Sequence, residues 1–541
     1  MSDWWKTEIV YQIYPRSFQD TNNDGIGDLP GILSRLPEIK RLGVGILWLS
    51  PVYASPNDDN GYDISDYRSI HPDFGTLEDM DRLIAEARRL DLRIVMDLVI
   101  NHTSDEHEWF RKSRDPQSPY RDYYIWKPGV GDGPPNNWTS FFAEDCWEFD
   151  PASGEYYLHL FSRKQPDLNY RNPAVLREVE EIMRFWLEKG ISGFRCDVIN
   201  VLFKDSLDDG KKKLILTGSE HYISREGTHE ILRTLRRDVL SRYDCFAVGE
   251  TVFVTPQMGR DLCEPSRGEL DMIFSFEHME TDQYIVKWFR RRFSPRRLAK
   301  VIARWQGELT WNANYFENHD QPRSVSRFGD DSLYRSASAK MLCVFLLSLR
   351  GTPFLYQGQE LGMTNFDYES MDELRDIESR NVDKMLKRLH FPSGIRWRMM
   401  QKSSRDNART PYPWTAGKEA GFTDGTPWIG INKNYSEINY DMEDRDPDSV
   451  LASYRRMIRF RAESPILLTG SFRLLRATNR SVIFERSLGG ERRVTVLLNF
   501  TKRTIRPGNF AGKVLLSTAG TAEWTGRLLP YEAVILGGDD A

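Results

Sequence analysis

The chain has 541 residues, of which 40% are hydrophobic and 28% charged, a balance typical of a soluble globular protein and of neither a fibrous nor a disordered one. Single hydrophobic cores stop growing at roughly 250 to 300 residues, so this length predicts two or three domains. Lys and Arg number 74 against 79 Asp and Glu, which gives a net charge of −5 and argues against nucleic acid or an anionic membrane surface as a partner.

The cysteines and the N-terminal segment indicate the compartment. Five cysteines are scattered without CxxC spacing, which predicts reduced thiols and neither a zinc site nor a disulfide framework. The first residues, MSDWWKTEIVYQIYPRSF, are acidic and aromatic where a signal peptide carries an apolar stretch. No apolar run reaches the ~18 residues of a membrane span. We therefore expect a cytoplasmic protein without a membrane partner.

Eight short apolar runs rich in β-branched residues recur along the chain, separated by helical patterns. They begin at Glu8, Val44, Leu92, Gly193, Cys245, Leu270, Asn312 and Thr352. Helix-period stretches lie between most of them, such as 76–90 and 172–190, the second with Asn172 as a candidate N-cap and Gly190 at its end. Eight β/α units in series predict a (β/α)8 barrel, with a doubly wound open sheet as the main alternative.

Two further regions interrupt or follow this pattern. Residues 104–174, between the third and fourth predicted strands, are rich in Gly, Pro, Asn and aromatic residues and too long for a simple connection, which predicts an inserted subdomain. After a final helical pattern, short alternating stretches such as SFRLLRA and SVIFERS predict an antiparallel β domain over 466–541. The barrel itself is then expected over 1–103 and 175–465.

Polar residues at the carboxyl ends of barrel strands point into a shared active-site mouth. The predicted strand ends carry Asp97, Asn101, His102, Arg195, Asp197, Glu250, Glu277, His278, His319 and Asp320. Arg195 and Asp197 by themselves are consistent with a structural ion pair. Several acids brought together from different strands raise each other's pKa and lower stability, which favours a functional role for the group. Carboxylates in an open cleft without a metal-type His cluster fit the hydrolysis of a glycosidic bond, one as nucleophile and another as general acid and base.

Five ordered motifs carry a resemblance that covers nearly the whole chain. They are DLVINH (97–102), QPDLN (165–169), GFRCDVI (193–199), VGET (248–251) and ENHDQPR (317–323). With these motifs the chain resembles the α-amylase family of glycoside hydrolases, and within it the oligo-1,6-glucosidase and dextran glucosidase group. The resemblance implies hydrolysis of a small oligosaccharide without an organic cofactor, by a monomer or weak oligomer.

The resemblance implies a catalytic role for four motif residues. Asp197 would be the nucleophile that forms a glycosyl-enzyme intermediate, and Glu250 would protonate the leaving oxygen and then activate water. Asp320 would bind hydroxyl groups of the distorted ring and stabilise the transition state. Arg195 would keep Asp197 ionised and oriented.

Further residues would contact the substrate. His102 and His319 would donate hydrogen bonds to the same ring, although each could equally be a core histidine. Tyr62 and Phe142 would form apolar walls, with core packing as the alternative reading of both.

The resemblance also implies how the pocket is closed and which linkage it takes. Asp63 and Arg409 match the pair that holds the non-reducing end, and a closed pocket implies exo-action. Val198, directly after the nucleophile, matches the members that prefer α-1,6 linkages. Val252 departs from the Trp of dextran glucosidases, so long dextrans are expected to be poorer substrates.

The loop DTNNDGIGD (20–28) alternates oxygen-bearing side chains around glycines, a pattern that suits calcium but also a polar turn. Its match to the calcium loop of the resembled group implies a structural calcium site. The implied ligands are Asp20, Asn22, Asp24 and Asp28, with the backbone carbonyl of Ile26.

Three other functions occur in amylase-like proteins. Sucrose isomerases of the group carry an Arg-Leu-Asp-Arg-Asp stretch after the sixth strand, where this chain has FEHMETDQ (276–283). An α-1,4-glucosidase is opposed by Val198. Inactive amylase-like transporter subunits carry a membrane anchor and lose catalytic acids, whereas this chain keeps all three acids. A retaining exo-α-glucosidase acting on short isomalto-oligosaccharides is therefore the expected function.

Overall fold

The computed structural model describes residues 3–142, 145–213, 215–490 and 492–538. Its central sheet has eight parallel strands: β1 (Val10–Ile13), β2 (Ile46–Leu49), β3 (Arg93–Leu98), β4 (Gly193–Cys196), β5 (Phe246–Glu250), β6 (Met272–Phe274), β7 (Ala313–Asn314) and β8 (Thr352–Tyr356). Each strand from β1 to β5 pairs with the next, and β8 pairs with both β1 and β7, whereas β6 and β7 lie at the two ends of the sheet. The sheet is thus a nearly closed (β/α)8 barrel, and the open-sheet alternative is wrong.

The strand sequences are nearly continuous in apolar residues because the strands are buried on both faces. Every residue of β1, β2, β4, β5 and β8 is buried, as expected for parallel strands covered by helices outside and side chains inside. Polar side chains are therefore costly within the barrel unless they are paired.

Most of the described α-helices that precede β8 connect the barrel strands, and those from Ile377 onward follow the last strand. They are Leu29–Ser34, Leu36–Leu42, Leu77–Arg89, Glu108–Ser113, Pro173–Lys189, Glu226–Asp238, Pro256–Cys263, Pro295–Glu308, Ser324–Phe328, Arg335–Leu347, Ile377–Arg388, Ser393–Ser403, Asp406–Arg409, Tyr440–Arg445, Val450–Ala462 and Pro465–Thr469. In the described ranges, none combines the length and the apolar character needed to cross a bilayer.

Local sequence signals explain where these helices begin and end. The side chain of Asn172 accepts from the N–H of Ala174 and Pro173 occupies the first helical position, while Gly190 ends the helix with φ +106°. These are the start and stop predicted for this helix.

Three smaller sheets lie outside the barrel in the described part of the chain, and the shortest pairs Tyr53–Ala54 with Asp66–Ile70. Between β3 and β4, the strands Trp126–Lys127, Glu155–Leu158 and Trp147–Asp150 form an antiparallel sheet. The C-terminal antiparallel sheet has the order Ser471–Ala477, Ser481–Leu488, Arg492–Asn499, Ala533–Gly537 and Lys513–Ser517. The predicted antiparallel C-terminal sheet is confirmed, whereas the residue limits predicted for the three regions stay predictions.

Candidate active site

A cavity of about 240 Å³ opens at the carboxyl ends of the barrel strands. Of the predicted site residues, Tyr62, His102, Phe142, Asp197, Glu250 and Asp320 line it. A larger cavity of about 520 Å³ lies between the inserted sheet and the loop after β4, and no predicted site residue lines it. The smaller cavity is therefore the candidate active site, because the acidic groups converge there.

Arg195 lies behind the cavity and binds three carboxylates. Its Nη1 is 2.6 Å from Asp197 Oδ1 and 2.6 Å from Asp97 Oδ1, and its Nη2 is 2.8 Å from Glu250 Oε2. The guanidinium is almost fully buried, at 2% exposure. One cation thus serves three neighbouring acids, so the charge of the cluster depends on which carboxyl groups hold a proton.

Asp197 and Glu250 are direct neighbours at the ends of adjacent strands. Gly249 of β5 pairs with Cys196 of β4, which places the next residues side by side at the spacing of parallel strands, roughly 4.8 Å. Both carboxyl groups also bind the same guanidinium, at 2.6 and 2.8 Å. Inverting glycosidases need about 6.5 to 9.5 Å between their carboxyl groups to admit a water, so this arrangement fits the shorter separation of retaining enzymes.

The environments of the three acids separate their pKa values. Burial raises the pKa of Asp197 to about 6; Arg195 lowers it, as the sequence predicted, but does not outweigh burial. Burial raises the pKa of Glu250 to about 8, and the neighbouring carboxylates add to the rise. At Asp320, burial is outweighed by His319 and two arginines, which take its pKa well below the usual range. Near neutral pH, Glu250 is protonated while the other two are ionised.

His319 and Tyr62 form a stacked pair beside Asp320. Their ring centroids are 5.2 Å apart with an angle of 9° between the planes. His319 Nδ1 lies 2.8 Å from the amide nitrogen of Gln12. His319 Nε2 is 2.7 Å from the Tyr62 hydroxyl and 3.2 Å from Asp320 Oδ2. His319 therefore places this nitrogen next to Asp320.

His102 also lines the cavity. Its Nε2 lies 3.1 Å from the Tyr62 carbonyl oxygen and 3.2 Å from Gln165 Nε2. Burial lowers its pKa, which favours the neutral ring at physiological pH.

Asp63 does not face the cavity. It is fully buried, and it accepts hydrogen bonds from the Ser55 hydroxyl at 3.0 Å and from the N–H groups of Asp58 and Asp59 at 2.8 and 3.0 Å. These donors belong to its own loop, so the side chain turns back onto the backbone. The prediction that Asp63 and Arg409 pair to close the pocket is wrong, and Asp63 instead fixes the loop that carries Asp59.

The ion pair that closes the cavity joins Asp59 and Arg405. Arg405 Nη2 is 3.1 Å from Asp59 Oδ1, and both residues line the cavity. Arg405 also binds Asp376 at 2.7 Å. Arg409 lies behind this pair, with Nη2 2.9 Å from Asp320 Oδ1. The sequence signals for the pair were the second Asp of DDNGYD and the first Arg of RDNART, each four residues before the residue predicted from the sequence.

Val198 follows Asp197 and lines the cavity. Its backbone has φ 34° and ψ 41°, in the left-handed region that β-branched residues rarely adopt. In this conformation its N–H donates to Glu250 Oε2 at 3.2 Å. The sequence predicts a role for the Val198 side chain only, since no local pattern marks this backbone conformation.

The predicted calcium loop is compact and carries only oxygen donors of the hard type that calcium prefers. The Asp20 carboxylate accepts from the N–H groups of Asn22 and Gly25, and Asp24 accepts from that of Ile26. Asp28 accepts from the N–H of Gly31, and within the described ranges no three His, Cys, Asp or Glu side chains are grouped to hold a metal. The donor types of the loop therefore suit calcium, whereas the three carboxylates are directed to backbone N–H groups and do not converge on one point.

Comparisons with known proteins agree with this geometry. The sequence profile of the family "Alpha amylase, catalytic domain" matches residues 12–470. The oligo-1,6-glucosidase of Parageobacillus thermoglucosidasius is 50% identical over 516 residues, which cover 93% of this chain and 91% of that protein. The isomaltulose synthase of Klebsiella sp. LX3 superposes with a TM-score of 0.96 at 39% identity, covering 99% of each chain. The trehalose-6-phosphate hydrolase of Bacillus licheniformis gives 0.93 at 41% identity, covering 99% of this chain and 100% of the other.

A family match over most of the chain and three carboxylates grouped around Arg195 at the carboxyl ends of the barrel strands lead to the same assignment. The chain belongs to the α-amylase family of glycoside hydrolases.

Proposed function

We propose that the protein is a retaining exo-α-glucosidase that releases terminal α-1,6-linked glucose from short isomalto-oligosaccharides. The observation that carries the proposal is the adjacent pair Asp197 and Glu250, one ionised and one protonated near neutral pH. The 50% identity to a protein named oligo-1,6-glucosidase supports the choice of linkage.

The two carboxyl groups divide the reaction between them. Asp197 attacks the anomeric carbon of the terminal glucose while Glu250 transfers its proton to the glycosidic oxygen, so the shortened sugar leaves as an alcohol. Glu250, now ionised, takes a proton from water, and the resulting hydroxide equivalent displaces Asp197 from the sugar. Two displacements at one carbon return the original α configuration. Asp320 stays ionised throughout and stabilises the positive charge that develops on the ring.

The closed end of the cavity supports removal of one glucose at a time. Asp59 and Arg405 form a charged wall there, and both can bind hydroxyl groups of a terminal sugar through charge-assisted hydrogen bonds. Tyr62 and Phe142 add apolar walls. A chain can then enter only by its non-reducing end.

The choice between α-1,6 and α-1,4 linkages rests on Val198. Its side chain lines the cavity beside Glu250, where the leaving sugar departs. A branched apolar side chain at this point disfavours one of the two poses of the leaving ring, and a difference of this kind is worth about 1 to 3 kcal/mol.

A substrate panel tests the proposal. Among isomaltose, maltose, sucrose and trehalose 6-phosphate, isomaltose should have the highest kcat/KM. Glucose should be the only product of its hydrolysis. Maltose first would make the protein an α-1,4-glucosidase. Conversion of sucrose into an isomer without hydrolysis would assign it to the activity named for the isomaltulose synthase.

We also propose that the loop over residues 20–28 binds a structural calcium ion through Asp20, Asn22, Asp24, Asp28 and the Ile26 carbonyl. We further expect a cytoplasmic protein that is a monomer or weak oligomer. All five cysteines are buried and unpaired, which supports a reducing compartment.

A further inference from the structure

Phe253 is an exposed aromatic residue held in a strained conformation at the rim of the cavity. Its side chain is 53% exposed, and its φ of +52° lies in the region that favours glycine. It directly follows Val252, which lines the cavity. Phe253 is not buried in a core, and its backbone conformation disfavours a large side chain. Its presence at this position therefore suggests a functional constraint.

The backbone that presents Phe253 is fixed by a buried side chain. Asn200 lies in the short helical turn after β4 and is fully buried. Its Oδ1 accepts from the N–H of Val252 at 3.0 Å, and its Nδ2 donates to the Val252 carbonyl at 2.9 Å. Both polar groups of residue 252 are therefore held, and the position of the next residue is preorganised.

Phe253 continues a row of aromatic rings that starts inside the cavity. Phe161 and Phe141 both line the cavity and stack with centroids 4.7 Å apart and planes at 7°. Phe253 lies next in the row, 6.4 Å from Phe141 with planes at 30°. Apolar ring surface therefore extends without interruption from the cavity wall to solvent.

The row leaves the cavity on the side of the leaving group. Glu250 protonates the leaving oxygen, so the departing sugar lies next to the end of β5, and Phe253 is three residues further along the same loop. Sugar rings have apolar faces that pack against aromatic rings. The side chain of Val252 is small, so a ligand that passes it reaches the Phe253 ring.

We propose that Phe253, supported by Phe141, is a binding platform for the third glucose unit of an isomalto-oligosaccharide, the unit beyond the leaving glucose. This inference rests on the proposed exo-α-glucosidase function and adds a preference for trisaccharides over disaccharides. At position 252 the chain has Val where dextran glucosidases have a Trp that supports longer chains. Phe253 provides an aromatic ring at the next position.

The test compares isomaltotriose with isomaltose. In Phe253→Gly, the ratio of their kcat/KM values should fall by about 3- to 10-fold, the factor expected for one lost aromatic contact, while kcat/KM for isomaltose stays unchanged. Phe253→Trp should keep the ratio. Phe149→Ala removes another exposed phenylalanine, 47% exposed on the inserted sheet, and should leave both values unchanged.

The glycine variant also separates binding from a structural role. Glycine accepts the positive φ without strain, so its Tm should equal or exceed that of the wild type. An unchanged ratio in Phe253→Gly, or an equal loss with both substrates, would overturn the proposal. If the wild type prefers α-1,4 bonds, the same ratio measured with maltotriose and maltose tests the platform after the linkage assignment has failed.

Discussion

The N–H of Val198, in the loop after β4, donates to Oε2 of Glu250, the last residue of β5, at 3.2 Å. Val198 makes this bond from a left-handed backbone conformation, which costs about 1 to 3 kcal/mol. Val198 thus orients the acid through its backbone and narrows the cavity with its side chain. Under the proposed function, the nucleophile Asp197 and the residue proposed to set the linkage, Val198, are therefore consecutive, and Val198 contacts the acid Glu250 directly.

Replacement of Val198 by Thr or Ala should shift the linkage preference. Both variants keep the N–H that binds Glu250, so the chemical step is retained, whereas the apolar branch that disfavours the α-1,4 pose is changed. We expect kcat/KM for maltose relative to isomaltose to rise by about 5- to 100-fold, which corresponds to 1 to 3 kcal/mol. An unchanged ratio would show that the Val198 side chain does not set the linkage.

The pH dependence of kcat/KM should be bell-shaped, with limbs near pH 6 and pH 8. Activity requires ionised Asp197, whose pKa is about 6, and protonated Glu250, whose pKa is about 8. Activity should therefore fall below the first value and above the second. In Glu250→Gln, assayed with an aryl glucoside whose leaving group needs no proton, the alkaline limb of the glycosylation step should disappear. Persistence of that limb would assign it to another group.

Replacement of Arg195 by Gln should destabilise the protein most at alkaline pH. The folded-state pKa values of Asp197 and Glu250 already exceed those of the unfolded chain, so their contribution to stability is present in acid and is lost as pH rises through about 6 and 8. Without the cation these values rise further. We expect a loss of about 3 to 5 kcal/mol near pH 8 and a smaller loss at pH 5.

Chemical denaturation at both pH values measures this effect. Arg184→Gln is the matched control, because Arg184 pairs with Glu180 and Glu181 on the helix surface and should cost under about 1 kcal/mol at either pH. Equal losses at pH 5 and pH 8 in Arg195→Gln would contradict the electrostatic account.

Asp59 and Asp63 should respond differently to replacement by Asn. Asp59 lines the cavity and pairs with Arg405, so Asp59→Asn should lower kcat/KM about 100-fold, the effect of weakening a charged contact to the substrate, with little change in Tm. Asp63 binds only its own loop among the contacts described, so Asp63→Asn should lower Tm and affect activity less. The reverse pattern would restore the assignment made from sequence.

The fold was largely predictable because its signals are local. The helix Pro173–Lys189 has a capping residue before it and a glycine after it, and the strand Ser471–Ala477 has the alternation of a half-exposed strand. Glu277 was a less successful prediction. β6 ends at Phe274, so Glu277 lies beyond the strand end and binds Trp305 Nε1 at 2.9 Å, outside the cavity.

The fine geometry of the site was not predictable in the same way. Asp59 and Asp63 are four residues apart in one polar loop, and only the folded backbone shows which carboxylate is used by its own amide groups. The same limit applies to Asp197, whose pKa depends on burial by residues distant in sequence. Motifs identify the residue types, whereas the contacts depend on the whole barrel.

The most direct test of the central claim follows the hydrolysis of isomaltose by ¹H NMR from the first seconds, before mutarotation mixes the anomers. The account predicts that the glucose released from the non-reducing end appears first as the α anomer, at a higher kcat/KM than with maltose. Initial release of β-glucose would contradict the paired Asp197 and Glu250 mechanism, and no cleavage of isomaltose would contradict the α-1,6 assignment.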